Sequence, residues 1–210
     1  MNIDIKKSRK PVKYIDAITF LEKKVNNIYK KQSNELIWIL EHPSTFTAGR
    51  RYNNKEIIDK KIKIINTLRG GKITWHGPGQ LICYFAIDLR KRNKDIRKFI
   101  NLIEITIITT LKKYKIESFA DRKNIGIWVK QNKNLKKIAA IGIRVKKWIA
   151  YHGFSLNINN SLDEYNKIIP CGIKRRGVTN LKLLKNQNYI KIKKDIVFNL
   201  LKNLKKKDLL

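Results

Sequence analysis

Hydrophobic positions recur along the chain with two different periods. After Asp16, Ile18, Leu21, Val25 and Ile28 are spaced by 3, 4 and 3, one face of an amphipathic helix with Asp16 as its N-cap. ELIWILE is a short apolar run ending at Glu41 and bounded by His42 and Pro43, which predicts a buried strand followed by a loop. Beyond Asp95, the residues Ile96, Ile100, Ile103, Ile107 and Leu111 recur at 3 or 4, predicting a second helix over roughly 95–114 with lysines on its other face. From Ile116 to Ile158 the pattern becomes that of strands. GIWVK and KIAAIGIRV flank the polar QNKN turn and WIAYHGFSLNI follows, so an antiparallel meander is expected. Ile196, Leu200, Leu201 and Leu204 place a last amphipathic helix near 194–206. No repeat or linker divides the chain, so residues 1–210 are expected to form one domain, and strands mixed with a few helices without regular alternation predict an α+β fold.

Composition changes this picture in one respect. Lys and Arg number 48 against 16 Asp and Glu, a formal net charge of +32, while 42% hydrophobic residues supply a core and exclude a wholly disordered polycation. The dominance of Lys, Asn and Ile has a bland source in genomic nucleotide bias, yet a field of this size draws acidic proteins, nucleic acids and anionic surfaces. The basic residues follow no RNP, helix-turn-helix or zinc-finger pattern, which argues against a nucleic-acid-binding protein. No apolar run approaches the roughly 18–20 residues of a membrane span, and MNIDIKKSRK leads into no signal-peptide core, so a cytoplasmic protein with no membrane partner is expected. Cys83 and Cys171 are too few for a disulfide scaffold, and His42, His76 and His152 lie too far apart in sequence for a helical metal motif. Neither a metal nor another cofactor is expected.

Candidate chemistry gathers in two places. RGGKITWHGPGQ, residues 69–80, holds four glycines and a proline, a composition that lets backbone approach a ligand but equally serves two tight turns between strands. His76 between the turns favours a site. Asn66 stands where GxxxxGK[ST] requires its upstream glycine, so an ATP loop of that type is unsupported. In IIPCGIKRRGVTNL, Cys171 sits in a break between apolar segments, whereas Cys83 lies inside LICYFAIDL as a small core residue. A free thiol with a pKa of about 8.5 needs a neighbouring base or cation to act as a nucleophile, for which His76, His152 and the many lysines are candidates. Lys137 opens the apolar KIAAIG, and an ammonium about 4 Å from a thiolate is worth about 4 kcal/mol at an effective dielectric near 20, before desolvation. Spacing alone leaves open whether Lys137 does this or is one more solvated lysine at a strand end. It does not pair Lys137 with Cys171.

Five blocks in order resemble the lipoyl(octanoyl)transferases, the lipoate-protein ligase B type of octanoyltransferase. They are EHPSTFTAGRR (41–51), RGGKITWHGPGQLICYFAIDLR (69–90), GIWV (126–129), KIAAIGIRVKKWIAYHGFSLNIN (137–159) and IIPCGIKRRGVTNL (168–181). Phe46 and Trp75 depart from tyrosine in that pattern and keep an aromatic ring. The resemblance implies the fold of lipoate and biotin protein ligases, a mixed, largely antiparallel sheet with helices packed mainly on one side. It implies transfer of an octanoyl group from octanoyl-acyl carrier protein, through a cysteine thioester, to a lysine of a lipoyl domain. The acceptors would be 2-oxoacid dehydrogenase subunits and the glycine cleavage H protein. Cys171 matches the nucleophile and Lys137 the lysine that activates it. Arg69, Gly70, Gly71, Lys72, Ile73, Thr74, Trp75 and His76, with Ala140, Ile141, Gly142, Gly153, Phe154 and Ser155, match the acyl-binding set. Backbone N–H groups beside Cys171 and Lys137 are the expected oxyanion donors. An ATP-dependent lipoate or biotin ligase of the same fold is the alternative.

Overall fold

The computed structural model describes residues 2–172 and 176–206, apart from the side chain of Cys171. In chain order the elements are β1 (Ile3–Lys7), α1 (Tyr14–Tyr29), β2 (Glu35–Leu40), β3 (Thr45–Ala48), β4 (Ile64–Asn66), β5 (Ile73–His76) and β6 (Gln80–Asp88). They continue with α2 (Ile96–Lys113), β7 (Phe119–Ala120), β8 (Ile127–Gln131), β9 (Asn134–Lys146), β10 (Ile149–Asn157), α3 (Leu181–Leu184) and α4 (Ile192–Leu204). Seven strands form one sheet in the order β1-β2-β6-β10-β9-β8-β7, and β4-β3-β5 form a smaller one. Every pairing in the large sheet is antiparallel except β1 with β2.

The central strands β2, β6 and β10 of the large sheet are buried on both faces, and their period sorts the core. Ile37 and Ile39 of β2 and Leu81, Cys83, Phe85 and Ile87 of β6 pack with α2 and α4. The intervening Leu36, Trp38, Leu40, Ile82, Tyr84 and Ala86 pack with α1 on the other side. Helices α2 and α4 therefore share one face, as the resemblance implied for most of the helices, and α1 covers the opposite one. Where β10 crosses β6, a Cβ on Gly153 would stand 1.9 Å from the Cys83 carbonyl oxygen, so only glycine fits there. The predicted QNKN turn has Asn132 and Lys133 at positive φ, the geometry of a two-residue hairpin loop.

Some expectations need correction. Asp16 is not the N-cap of the first helix, because burial of Tyr14 and Ala17 starts α1 earlier and leaves Asp16 in its first turn, near the positive end of the dipole. Asp95 does cap α2, accepting from the Lys98 N–H at 2.9 Å. The buried stripe of α2 is rotated from the expected one. It runs through Phe99, Leu102, Ile103, Thr106, Ile107, Thr110 and Leu111, leaving Ile96 exposed. The threonines can be buried because their hydroxyls donate to the Leu102 and Thr106 carbonyls at 2.8 Å and accept amide N–H groups from Asn203 and Asn199 of α4. The expected loop after Pro43 holds β3, which lies between β4 and β5 in a small sheet packed against Tyr165 and Ile168.

Candidate active site

A cavity of about 570 Å³ opens between the paired strands β9 and β10 and the segment 69–76. Its floor is built from small residues at matched positions, Ala140 opposite Ser155 and Gly142 opposite Gly153. Alternation along β9 and β10 sends Ile141 and Phe154 to the main core, so these two line the cavity from its edge. Thr74 and His76 point into the cavity from β5. Trp75, between them, turns away, donating its indole N–H to Ser44 Oγ at 2.9 Å and packing edge-on against Tyr165.

Segment 69–72 is fixed by charge-assisted hydrogen bonds. The buried guanidinium of Arg69 donates to the Thr47 carbonyl and hydroxyl at 2.8 Å and to the Gly70 carbonyl at 3.0 Å. The Gly70 N–H joins the edge of β9 through the Ile143 carbonyl at 3.1 Å, and Gly71 takes a positive φ that suits glycine. Lys72 pairs with Glu56 at 2.6 Å, and the Glu56 backbone carbonyl accepts the Ile169 N–H at 2.7 Å. That last bond ties the glycine-rich segment to the turn that carries Cys171.

Pro170, Cys171 and Gly172 form a single 3-10 turn, closed by the Gly172 N–H donating to the Ile169 carbonyl at 2.9 Å. The Cys171 side chain lies outside the described residues, but its neighbours locate the turn: Gly172 lines the main cavity with Lys137, and Pro170 lines a small recess with Lys137, Thr74, Ala140 and Ser155. Residues 177–179 then run parallel to β9 at Lys137, whose N–H donates to the Gly177 carbonyl and whose carbonyl accepts the Thr179 N–H. The backbone brings Lys137 and the turn Pro170–Gly172, far apart in sequence, to one recess.

Lys137 is 6% exposed, and its ammonium has no carboxylate partner among the described residues. Nζ donates to the Ile125 carbonyl at 3.1 Å and lies 4.8 Å from the centroid of the Trp128 ring. Trp128 is itself held by its N–H to the Asn124 carbonyl at 2.9 Å, and Arg176 stacks on the same ring while pairing with Asp121 at 2.6 Å. Hydrogen bonds from Asn124 and Arg176 hold the Asp121 carboxyl down at about 2. Gly126, at φ +134°, keeps the lysine stem in place, since a Cβ there would come within 3.1 Å of Lys137 Cε and 2.7 Å of the Ala139 carbonyl.

Behind the cavity lies a cluster of neutral imidazoles and phenols. His76 Nδ1 donates to Gln80 Oε1 at 2.7 Å, and Gln80 donates in turn to Asn157 and Tyr165. His42 donates from Nδ1 to the Val12 carbonyl at 2.6 Å and accepts the Tyr84 hydroxyl at Nε2. Burial, reinforced by His42 and Arg69, pushes His76 down to about 3, and burial with Arg69 and Arg144 does the same to His152. Cys83 is fully buried in β6, where desolvation pushes its thiol far up and leaves it inert. No group of His, Cys, Asp or Glu among the described residues is arranged to hold a metal ion, and no helix among them is long and apolar enough to cross a membrane. Sequence reasoning assigned no role to Trp128, Gly126, Arg176 or Gln80, and named His152 only as one candidate base for the thiol. The GIWV block was the one signal that pointed near the first two.

The chain belongs to the lipoyl protein ligase A/B catalytic domain family, whose model matches residues 13–199. Within that family it is similar to the octanoyltransferase of Wolbachia sp. subsp. Brugia malayi (strain TRS), with 45% identity over 174 residues, covering 82% of this chain and 85% of the relative. The octanoyltransferase of Anaplasma phagocytophilum (strain HZ) is 40% identical over 186 residues, covering 88% and 89%. Among solved structures, the bi-partite lipoate protein ligase from Thermoplasma acidophilum superposes with a TM-score of 0.71 at 13% identity, covering 97% of this chain and 84% of that one. That likeness establishes the shared fold.

Proposed function

We propose that this protein is an octanoyltransferase that works through a covalent acyl-enzyme. Its donor is octanoyl-acyl carrier protein, its nucleophile Cys171, and its acceptor a lysine amine on a lipoyl domain of a 2-oxoacid dehydrogenase subunit or of the glycine cleavage H protein. The reaction belongs to the cytoplasm, where those carriers are made. The observation that carries the reading is the recess shared by Lys137 and the Pro170–Gly172 turn, beside a cavity floor of the small residues Ala140, Gly142, Gly153 and Ser155.

In the first half-reaction the Cys171 thiolate adds to the donor carbonyl, the carbonyl pair moves to oxygen, and collapse expels the carrier thiolate, which takes a proton. In the second, the neutral acceptor amine adds to the Cys171 thioester, Cys171 leaves as thiolate, and the amine gives up a proton as the amide forms. Lys137 serves both steps, steadying the thiolate by its charge and exchanging the proton. Exchange of one thioester for another is nearly isoenergetic and thioester to amide runs downhill, so ATP is not required. Two of the backbone donors expected for the oxyanion are engaged, Gly172 N–H on Ile169 and Lys137 N–H on Gly177. The Lys137 ammonium has three N–H groups and spends one on Ile125, so it is the oxyanion donor we assign.

Intact-mass measurement after mixing the enzyme with octanoyl-acyl carrier protein tests this. A single octanoyl adduct mapped to Cys171, formed without ATP, is the expected result. No adduct, combined with transfer from free octanoate and ATP, would instead make the chain an ATP-dependent ligase.

The charge has a role in the encounter. Arg51, Arg122 and Lys123 line the cavity and form no ion pair among the described residues, so they are available to an acidic carrier. We expect kcat/KM for the carrier protein to fall about tenfold as ionic strength rises from roughly 0.05 to 0.5 M, while a small octanoyl thioester responds little. Equal salt dependence for both donors would assign the +32 charge to composition alone.

A further inference from the structure

His152 is used by nothing described so far. It sits in the middle of β10 at φ +68°, an uncommon conformation for a non-glycine residue, and it stacks on the ring of its own chain neighbour Tyr151 at 4.9 Å. Successive strand residues ordinarily face opposite sides of a sheet, so the positive φ has turned this imidazole onto the cavity face beside Tyr84. There it is 2% exposed, and both ring nitrogens lack a hydrogen-bond partner among the described residues. Such a group is costly unless something polar joins it.

Its position along the chamber is set by register. The reacting end is marked by the recess of Lys137, Pro170, Ala140 and Ser155. His152 pairs with Ile143, three residues further along β9 than Ala140, which at about 3.3 Å per residue is about 10 Å away. An extended eight-carbon acyl chain, with bonds of about 1.5 Å in zigzag, spans about 9 Å. A chain attached at the recess and extended along β9 therefore ends level with the imidazole.

We propose that His152 is a specificity-determining residue that closes the far end of the acyl chamber and reads the chain terminus. The ring blocks chains longer than eight carbons. Its free nitrogens, one a donor and the other an acceptor in the neutral ring, make this a polar stop. The site therefore takes medium-chain acyl groups carrying an oxygen or other hydrogen-bonding atom at the terminal carbon, as well as those ending in methyl. This rests on the octanoyltransferase reading above.

The test compares octanoyl, decanoyl and ω-hydroxyoctanoyl carrier protein on the wild type and on His152→Gly, since glycine adopts this φ without strain. In the wild type the ω-hydroxy donor should react within about tenfold of octanoyl, and decanoyl should be at least about tenfold slower. In His152→Gly the decanoyl-to-octanoyl ratio should rise about tenfold and the ω-hydroxy-to-octanoyl ratio should fall about tenfold. His152→Asn, which also tolerates positive φ, should restore part of the hydroxyl preference. Unchanged ratios in a folded variant overturn the proposal, as does a wild type that prefers decanoyl or rejects the ω-hydroxy donor more than about a hundredfold. Calorimetric binding of octanoate and ω-hydroxyoctanoate gives the same comparison without chemistry. Thus a chain that transfers no octanoyl group at all refutes the earlier reading and leaves this one separately measurable.

Discussion

Replacing Lys137 with methionine is expected to lower kcat/KM for octanoyl transfer about a thousandfold while leaving the protein folded. The loss follows from the charge. An ammonium at contact distance from a thiolate is worth about 4 kcal/mol at an effective dielectric near 20, and about 1.4 kcal/mol is a tenfold change in rate. The fold should survive because, among the described residues, the ammonium is held only by a carbonyl and a π face, so its removal strands no carboxylate there. The Ile125 carbonyl loses one donor, at a cost of about 1 kcal/mol, and the thioether refills the stem's place beside Trp128. The discriminating measurement is the pH dependence of alkylation by iodoacetamide. Cys83 is sealed in the core, so the thiol expected to react is Cys171. In Lys137→Met its titration should move up by two or three pH units. An unchanged profile would mean that Lys137 acts on neither the thiol nor its thiolate.

The path from sequence to this site was uneven, for physical reasons. Local signals survived wherever a local cause dominates: Asp95 caps α2, QNKN turns β8 into β9, and the long apolar runs are the central strands. What failed was whatever a distant partner decides. The exposed Ile96 and buried Thr110 exchange their expected places because asparagines on α4 satisfy the threonine hydroxyls. The small sheet escaped notice because β3, β4 and β5 are three or four residues each and derive their order from pairing with one another. At the site, Cys171 stood out by its place between apolar segments, but nothing local to either residue brings the turn that carries it to the recess of Lys137. That approach depends on residues 177–179 bridging to β9, and only the family resemblance pointed to it beforehand. The remaining determinants act through conformation: Gly126 and His152 matter because of positive φ, and Trp128 because an irregularity in the pairing of β8 with β9 accompanies its placement under the ammonium.

Mild acid should unfold this protein, and histidines rather than carboxylates should be responsible. His76 and His152 are held neutral in the fold down to about 3, against an ordinary value of 6.5. Burial also lowers His42. In the unfolded chain all three take up protons as pH drops through 6.5, while the folded protein refuses them. The unfolded state therefore binds more protons, and stability must fall as pH falls. Each histidine contributes about 1.4 kcal/mol per pH unit in this window, so His76 and His152 together remove about 5 kcal/mol between pH 6.5 and 4.5. A domain with about 5–15 kcal/mol in total loses much of its margin there. Carboxylates act later, since Asp121 is held at about 2 and Asp88 and Asp195 also lie below their ordinary value. Their contribution is lost only below about pH 4. Urea midpoints measured between about pH 7.5 and 5 should therefore decline steeply below 6.5, and a combined His76→Gln, His152→Asn variant, though weaker at neutral pH, should show a much flatter profile. A wild-type midpoint constant from pH 6.5 to 5 would mean that these imidazoles accept protons in the folded state, and that the chamber is wetter than its packing implies.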